Sequence, residues 1–303
     1  MTSIRKLVIA AGTGFLGSVL VNYFKDKTTE IVVLTRGGTK TADNIRYVNW
    51  DAKTLTGWEK ELEGADVLIN LAGRSVDCRY TDANKKEIMA SRIDSTNTLN
   101  KAVLACTNPP KHWLNSSTAT IYRHSTDRQM DEATGEIGSD FSMTVAKEWE
   151  KAFYAVETPL TLKTALRTSI VLGKDGGAYI PLKRLLKLGL GGRQGSGGQF
   201  VSWIHELDFA RAVEFIVINA MEGVVNVVSP APVRNVAFMS ELRTSLNVPF
   251  GIPSPEPLLR IGANIIGTEP ELVLKSRNVI PQRLLENDFT FHFVTLKKAL
   301  ASL

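Results

Sequence analysis

Short aliphatic runs alternate with amphipathic stretches through the first half of the chain. Leu7-Val8-Ile9, Ile31-Val32-Val33-Leu34, Asp66-Val67-Leu68-Ile69-Asn70-Leu71 and the segment opening at His112-Trp113-Leu114-Asn115 read as strands. Each is nearly continuous in apolar residues, the pattern of strands covered on both faces. Residues 17–25, 83–106 and 141–156 read as helices, 57–62 as a short helical turn, and 162–172 as extended. This alternation predicts an α/β fold, a Rossmann-type doubly wound parallel sheet. The second half changes character. Residues 189–198 hold six glycines, prolines recur at 230, 232, 249, 253, 255 and 257, and short helical segments stand at 236–246 and 258–265. The expected division is a Rossmann domain over 1–172, its sheet completed by segments near 200–228. A smaller, discontinuous C-terminal substrate lobe takes 173–303.

Composition narrows the function classes. With 303 residues, 22% charged and 44% hydrophobic, the chain is of ordinary globular type. The net charge of +5 comes from 36 Lys+Arg against 31 Asp+Glu, scattered rather than blocked. That argues for a small anionic ligand over nucleic acid. Two cysteines, Cys78 and Cys106, are too few for a disulfide framework and point to a reducing compartment. No apolar run reaches the roughly 18–20 residues of a membrane span, and the run at 7–11 is too short for a signal core. The expectation is a cytoplasmic protein with no membrane partner. His112, His124, His205 and His292 lack paired-ligand spacing, so no metal is expected. The glycine-rich stretch has no Gly-Lys-Ser/Thr ending and reads as a mobile loop able to close over a ligand. Before it, residues 180–189 form an amphipathic pattern whose Arg184 or Lys187 is a candidate for a substrate phosphate.

The clearest chemistry lies at Ala11-Gly12-Thr13-Gly14-Phe15-Leu16-Gly17, between the first strand and the first helix. Small residues there let the backbone approach a pyrophosphate, and the helix N-terminus offers free N–H groups. The second strand ends about 20 residues past that turn, where an acid would hold the ribose 2′-hydroxyl of NAD. Thr35 and Arg36 stand there instead, with Lys40 close behind. A guanidinium suits a 2′-phosphate, so NADP(H) is preferred over NAD(H). The alternative for Arg36 is a solvated loop residue stacked on adenine.

Together these segments resemble the extended short-chain dehydrogenases/reductases, the NAD(P)-dependent epimerase/dehydratase superfamily. The glycine motif, Asp66–Gly73, Ser116-Ser117-Thr118-Ala119-Thr120-Ile121-Tyr122, Leu166–Gly173 and Ser202-Trp203-Ile204-His205-Glu206-Leu207-Asp208 carry the resemblance in order. The later stretches Gly189–Gly192, Gln199–His205, Ser229–Asn235 and Ile280–Phe289 are similar to the bacterial "epimerase family" subgroup, which has its own C-terminal domain of unknown function. The resemblance implies that Asp51 sits by the adenine and that Leu71, Ala72 and Gly73 line the adenosine ribose and pyrophosphate. It also implies that the strand end from Arg167 brings backbone to the nicotinamide.

Two departures stand out. Ala11 replaces the first glycine, and its methyl group demands a compatible φ. The superfamily pairs Tyr and Lys four residues apart on one helix face, with a Ser or Thr from the fifth strand. The tyrosine exchanges a proton, and the lysine lowers its pKa and holds the nicotinamide ribose. Here Thr118 takes the hydroxyl position and Lys147 the lysine position, but Met143 stands where tyrosine is expected. Methionine exchanges no proton. Lys147 is either the ribose-holding lysine or a solvated member of the Lys147-Glu148-Glu150-Lys151 cluster. Ser142 falls on a different helix face and belongs to the helix N-terminal turn. Tyr122 reads as a substrate-entrance residue or, more readily, a packed aromatic. Cys78 reads as an inert thiol. Gln199, Trp203 and His205 share one face if their segment is a single strand, and they are the substrate-side candidates. His205 is either structural or an acid/base near neutral pH. The resulting expectation is an NADP(H)-dependent oxidoreductase or epimerase acting on a small molecule, nucleotide-linked or phosphorylated, as monomer or homodimer. The rival is a dinucleotide-dependent sensor or interaction protein without turnover.

Overall fold

The computed structural model describes residues 4–266 and 269–303. The first half contains β1 (Lys6–Ala10), α1 (Phe15–Phe24), β2 (Glu30–Thr35), β3 (Lys40–Ala42), β4 (Ile45–Asn49), β5 (Val67–Asn70), α2 (Asp82–Ala105), β6 (His112–Thr118), α3 (Phe141–Tyr154) and β7 (Leu162–Thr168). There follow β8 (Ile170–Gly173), β9 (Gly176–Gly177), α4 (Tyr179–Lys187), β10 (Phe200–Val201), β11 (Trp203–His205), α5 (Glu206–Ile218), β12 (Gly223–Val227) and β13 (Val233–Arg234). Helices α6 (Asn235–Ser245), α7 (Glu256–Ile266), α8 (Glu271–Leu274), α9 (Gln282–Glu286) and α10 (Leu296–Ala301) close the chain.

The main sheet has eight strands in the order β12-β7-β6-β5-β1-β2-β4-β3, with only the β3–β4 pair antiparallel. From β1 the chain winds out to β2 and β4, then returns to β5 on the other side. This reversal opens a crevice above the C-terminal ends of β1 and β5, where open α/β sheets bind ligands. Side chains alternate across the sheet. Leu7, Ile9, Val33 and Ile69 pack against Leu20 of α1 and Phe209 of α5. Val8, Ala10, Val32 and Leu68 pack against Leu99 of α2 and Phe153 of α3 on the other face. Burial on both faces explains the unbroken apolar runs.

Beyond β7 the sequence reading needs correction. The extended run 162–172 is interrupted at Ser169, so β7 stays in the main sheet while β8 turns away to pair with β11 and β9. Residues 224–227 pair with β7 at the sheet edge. Residues 200–203 do not reach that sheet: β10 pairs with β13 and β11 with β8. The break lies at Ser202, whose hydroxyl donates to the carbonyls of Arg277 (2.8 Å) and Val279 (3.3 Å). A second core then forms around Trp203, Tyr179, Leu186, Phe238 and Leu300. The glycine-rich stretch is laced to residues 252–254 by backbone hydrogen bonds, Ile252 N to Gly189 O (2.8 Å), Ser254 N to Arg193 O (2.9 Å) and Gly195 N to Ser254 O (2.8 Å). Such lacing argues against a free lid. No helix among the described residues is long and apolar enough to cross a membrane.

Candidate cofactor and substrate site

The turn from β1 to α1 is shaped for close approach. Ala11 has φ +58°, and its amide donates to Leu34 O at 2.8 Å. A Cβ on Gly17 would stand 2.2 Å from the Gly12 carbonyl oxygen, so this glycine lets α1 pack onto the turn. A Cβ on Gly14 would meet nothing within 4 Å, because that side faces the open crevice. Gly14 caps α1 without a side-chain bond, and the first turn carries no acid. The helix therefore presents amides and a positive dipole end with no internal anion to quench them. Phe15 and Leu16 contribute backbone only. The Phe15 ring lies against Gly173 and Gly176, and Leu16 packs into the core.

At the end of β2, Thr35 Oγ1 accepts from Gly37 N (3.2 Å) and lies 3.5 Å from Thr13 Oγ1. An open depression of about 370 Å³ is lined by Thr13, Thr35, Gly37, Gly38, Thr39, Lys40 and Tyr47. No carboxylate lines it. Arg36 is exposed beside it and has no ion-pair partner among the described residues. These hydroxyls and cations fit a phosphate on the adenosine ribose, and no carboxylate stands among them to grip a 2′-hydroxyl as an aspartate would. The Asp51 carboxylate accepts from Lys53 N (2.8 Å), Thr54 N (2.9 Å) and Thr54 Oγ1 (2.6 Å). The Thr54 hydroxyl and these amides hold it below the usual carboxylate range. It closes its own turn. Leu71, Ala72 and Gly73 follow β5 into the crevice. They are pinned from below by Asn70, which accepts from Ala72 N (3.0 Å) and donates to Asn115 (2.7 Å).

Thr118 ends β6 in register with Thr168. Its hydroxyl donates to Thr120 Oγ1 (2.9 Å) and accepts from Thr120 N (3.1 Å). Lys147 is half-buried on α3 and lies outside the charge cluster of its own helix. Lys151 pairs with Glu148 (3.7 Å), Arg167 pairs with Glu150 (2.8 Å), and Lys147 has no ion-pair partner among the described residues. Met143 is buried against Gly138.

Four substrate-side readings are overturned, each side chain being held in a structural role. Tyr122 is wholly buried and its hydroxyl donates to Asn226 Oδ1 (3.0 Å), so it lines no entrance. The Arg167 side chain joins it there, donating to Tyr122 (2.9 Å) and twice to Glu150, which leaves the cofactor contact expected of this strand end to its backbone. Gln199 donates to the carbonyls of Gln194 (2.8 Å) and Val273 (3.1 Å) and organises the glycine-rich turn. Trp203 lies in the second core, its indole bonded to Ala231 O at 3.0 Å. His205 caps α5, its Nδ1 accepting from Leu207 N (3.0 Å) while Nε2 meets Ser302 Oγ (3.1 Å). Burial pulls its pKa down to about 4. With both nitrogens engaged it is no acid/base for a substrate. The strand break at Ser202 separates Gln199 from Trp203 and His205, which lie two residues apart in β11.

Comparison with known proteins now has geometry to refer to. A family model described as the NAD dependent epimerase/dehydratase family matches residues 7–144, and a domain of unknown function matches residues 254–303. An epimerase family protein of Staphylococcus aureus is 33% identical over 302 residues, covering 99% of each chain. The chain belongs to the epimerase family. A crystal structure of a human epimerase family protein with NADPH superposes with a TM-score of 0.87 at 28% identity, covering 98% of each chain. A nucleoside-diphosphate sugar epimerase from Corynebacterium glutamicum superposes with a TM-score of 0.78 at 26% identity, covering 99% of this chain and 58% of that one.

Against that family background, sequence reasoning missed two residues that follow β5 and meet it from α2. Tyr80 lies after β5 and Arg92 on α2. The Arg92 guanidinium packs directly on Gly73, and the Tyr80 hydroxyl lies 3.4 Å from Ser142 Oγ. Ser142, expected to serve its helix terminus, donates to Glu271 instead. No spacing signal joins these positions, because long-range packing brings them together.

Proposed function

We propose that this epimerase-family chain is an NADP(H)-binding oxidoreductase or epimerase of a small carbinol or carbonyl compound. The reading rests on the acid-free depression at the end of β2, flanked by Arg36 and Lys40. The human relative crystallised with NADPH supports it. The amides of residues 12–17 would hold the pyrophosphate, Thr13, Thr35, Arg36 and Lys40 the 2′-phosphate, and Lys147 the nicotinamide ribose. When bound, the nucleotide supplies or accepts a hydride. Thr118 would orient the substrate oxygen once its hydroxyl turns from Thr120. A second reading, a nucleotide-dependent sensor, is favoured by one observation: Met143 is buried and His205 is fully engaged, so neither fills the tyrosine's role.

Calorimetric titration of cofactor-stripped protein with NADPH and NADH tests the cofactor reading. NADPH is expected to bind the more tightly, with the preference falling about tenfold in Arg36→Ala, equivalent to loss of about 1.4 kcal/mol. Equal binding of both nucleotides, or an unchanged preference in the variant, would refute the assignment. Tight NADPH binding without turnover across a carbonyl and nucleotide-sugar panel would select the sensor.

A further inference from the structure

Exposed apolar side chains scattered singly are ordinary on a folded surface, whereas several gathered in one place call for an occupant. One face of the C-terminal half gathers them. Leu188, at the end of α4, is 74% exposed, and Phe250, in the loop after α6, is 69% exposed. Ile252 follows two residues on, and Leu258 and Ile261 stand one turn apart on α7; all three are exposed. Backbone bonds hold the loop against the end of α4. Ile252 N donates to Gly189 O (2.8 Å), and Gly192 N donates to Ile252 O (3.2 Å). A Cβ on Gly251 would stand 2.3 Å from the Gly191 carbonyl carbon, so the two segments meet backbone to backbone. Leu188 and Phe250 each adjoin a residue of that seam. Ser254 N donates to Arg193 O (2.9 Å), so the chain enters α7 from the same seam.

The unpaired charges of these segments have one sign. Residues 178–198 carry Lys183, Arg184, Lys187 and Arg193 and no carboxylate. None of the four has an ion-pair partner among the described residues, whereas Arg260 on α7 is paired with Glu256. Residues 246–255 carry no charge at all. Their prolines at 249, 253 and 255 have no N–H to satisfy, and the Ile252 N–H and carbonyl are both bonded inside the protein. Such a loop enters an apolar medium with fewer orphaned backbone groups than an ordinary loop does. A second copy of the chain is a poor occupant. A two-fold contact sets the patch against itself, and its unpaired cations would then face their own copies. A protein groove of fixed shape also fits less well than a fluid surface, because Leu188 and Phe250 project. An anionic bilayer takes projecting apolar side chains without matching their shape and supplies phosphates for the cations.

We propose that this face docks the protein on anionic lipid bilayers. Leu188, Phe250 and Ile252 enter the boundary between headgroups and acyl chains, with Leu258 and Ile261 of α7 beside them. Lys183, Arg184, Lys187 and Arg193 meet lipid phosphates, their long stems reaching that level from the side of the apolar tip. The contact is interfacial and involves no span. It therefore accords with the short apolar runs of the sequence and replaces the expectation of no membrane partner. It is independent of the dinucleotide reading, because none of these residues belongs to the turn after β1 or lines the depression after β2. Arg184 and Lys187, candidates for a substrate phosphate, take a lipid phosphate instead.

Flotation of the full chain with lipid vesicles is the test. The vesicles are phosphatidylcholine alone, or phosphatidylcholine with about 30% phosphatidylglycerol, both at low salt. The protein is expected to bind the anionic vesicles at least about tenfold more tightly, and to leave them as salt rises to roughly 0.5 M. Phe250→Ser with Ile252→Ser should cut that affinity at least about tenfold while the urea midpoint stays close to that of the wild type. Lys183→Gln with Lys187→Gln should cut it by about as much, whereas Lys86→Gln with Lys101→Gln, exposed lysines of α2, should change it less than about twofold. Phe250→Trp covers the case where the double loop variant does not fold: its added indole fluorescence should shift to the blue with anionic vesicles and not with phosphatidylcholine alone. The proposal is overturned if anionic vesicles are not bound, if a folded loop variant binds as the wild type does, if the α2 variant loses as much as the α4 variant, or if the added indole does not shift. A dimer that the loop variant dissolves, or an acidic protein bound through this face, with no vesicle binding in either case, would overturn it as well.

Discussion

At the residue scale, Ala11 shows what a departure from a family motif does physically. Its φ of +58° is the left-handed region, which costs an ordinary L-residue about 1–2 kcal/mol relative to glycine. Ala11→Gly removes that strain but returns about 0.5–1 kcal/mol of unfolded-chain entropy. The net expectation from urea unfolding is a gain of about 0 to 1.5 kcal/mol, by difference of those two terms. Ala11→Val adds a β-branch at positive φ, a conformation bulky residues avoid, and should cost about 2 kcal/mol or more. A loss of stability in the glycine variant would mean that the methyl's packing against the neighbouring core outweighs the strain. The turn itself was legible in the sequence because its pieces are contiguous: strand, small residues, helix. Lys147 was only half legible. Spacing placed it on a helix, here α3, but only the partners of Glu148 and Glu150 separate it from the charge cluster.

At the scale of elements, β6, β7, β12 and α3 are tied by one buried polar network. Ser117 donates to Glu150 (2.6 Å), Arg167 bridges Glu150 and Tyr122, and Tyr122 reaches Asn226. Asn226 continues to the Ile280 carbonyl (2.9 Å), carrying the tie into the C-terminal segment. Glu150→Gln leaves the Arg167 cation buried and uncompensated, so a loss of about 3–5 kcal/mol is expected, as for other broken buried pairs. Arg167→Met with Glu150→Leu removes both charges and should recover much of it in the same denaturation assay. If the single and double variants were equally unstable, the hydrogen-bond geometry rather than the uncompensated charge would be what matters. Strands of the main sheet were readable because burial on both faces writes an apolar run. The interruptions at Ser169 and Ser202 were not readable. Each reroutes an extended segment through bonds or pairings to residues far away in sequence, and no local period records that.

For the whole molecule, two buried histidines couple stability to pH. His205 caps α5 as a neutral ring, and His112 is buried with Nε2 2.7 Å from Thr164 Oγ1 and with Nδ1 lacking a partner among the described residues. Burial lowers both pKa values to about 4, from an ordinary 6.5. In the unfolded chain both titrate near 6.5, so the unfolded state binds more protons between pH 6.5 and 4. Their stabilising contribution is therefore complete above pH 6.5 and is lost as the pH falls toward 4, at up to about 1.4 kcal/mol per pH unit for each ring. Glu132 opposes this in the lower part of the window. Burial raises its pKa above 4.5, so the folded state holds its proton longer and gains stability on acidification there. Asp66 enters lower still. Burial opposes its charge, but Lys111 and the amides of Lys6 and Arg5 outweigh that and hold its pKa below 3.8, so its contribution is lost only in stronger acid. The urea midpoint should thus be flat from pH 8 to 7 and fall steeply from 6.5 to 5. In a His112→Asn, His205→Asn variant the protein should be weaker at pH 7.5, through one lost ring packing and an altered cap, but the slope between 6.5 and 5 should largely vanish. A wild-type midpoint unchanged at pH 5, or a variant retaining the full slope, would show that other groups set the acid sensitivity and that these rings protonate without unfolding the chain.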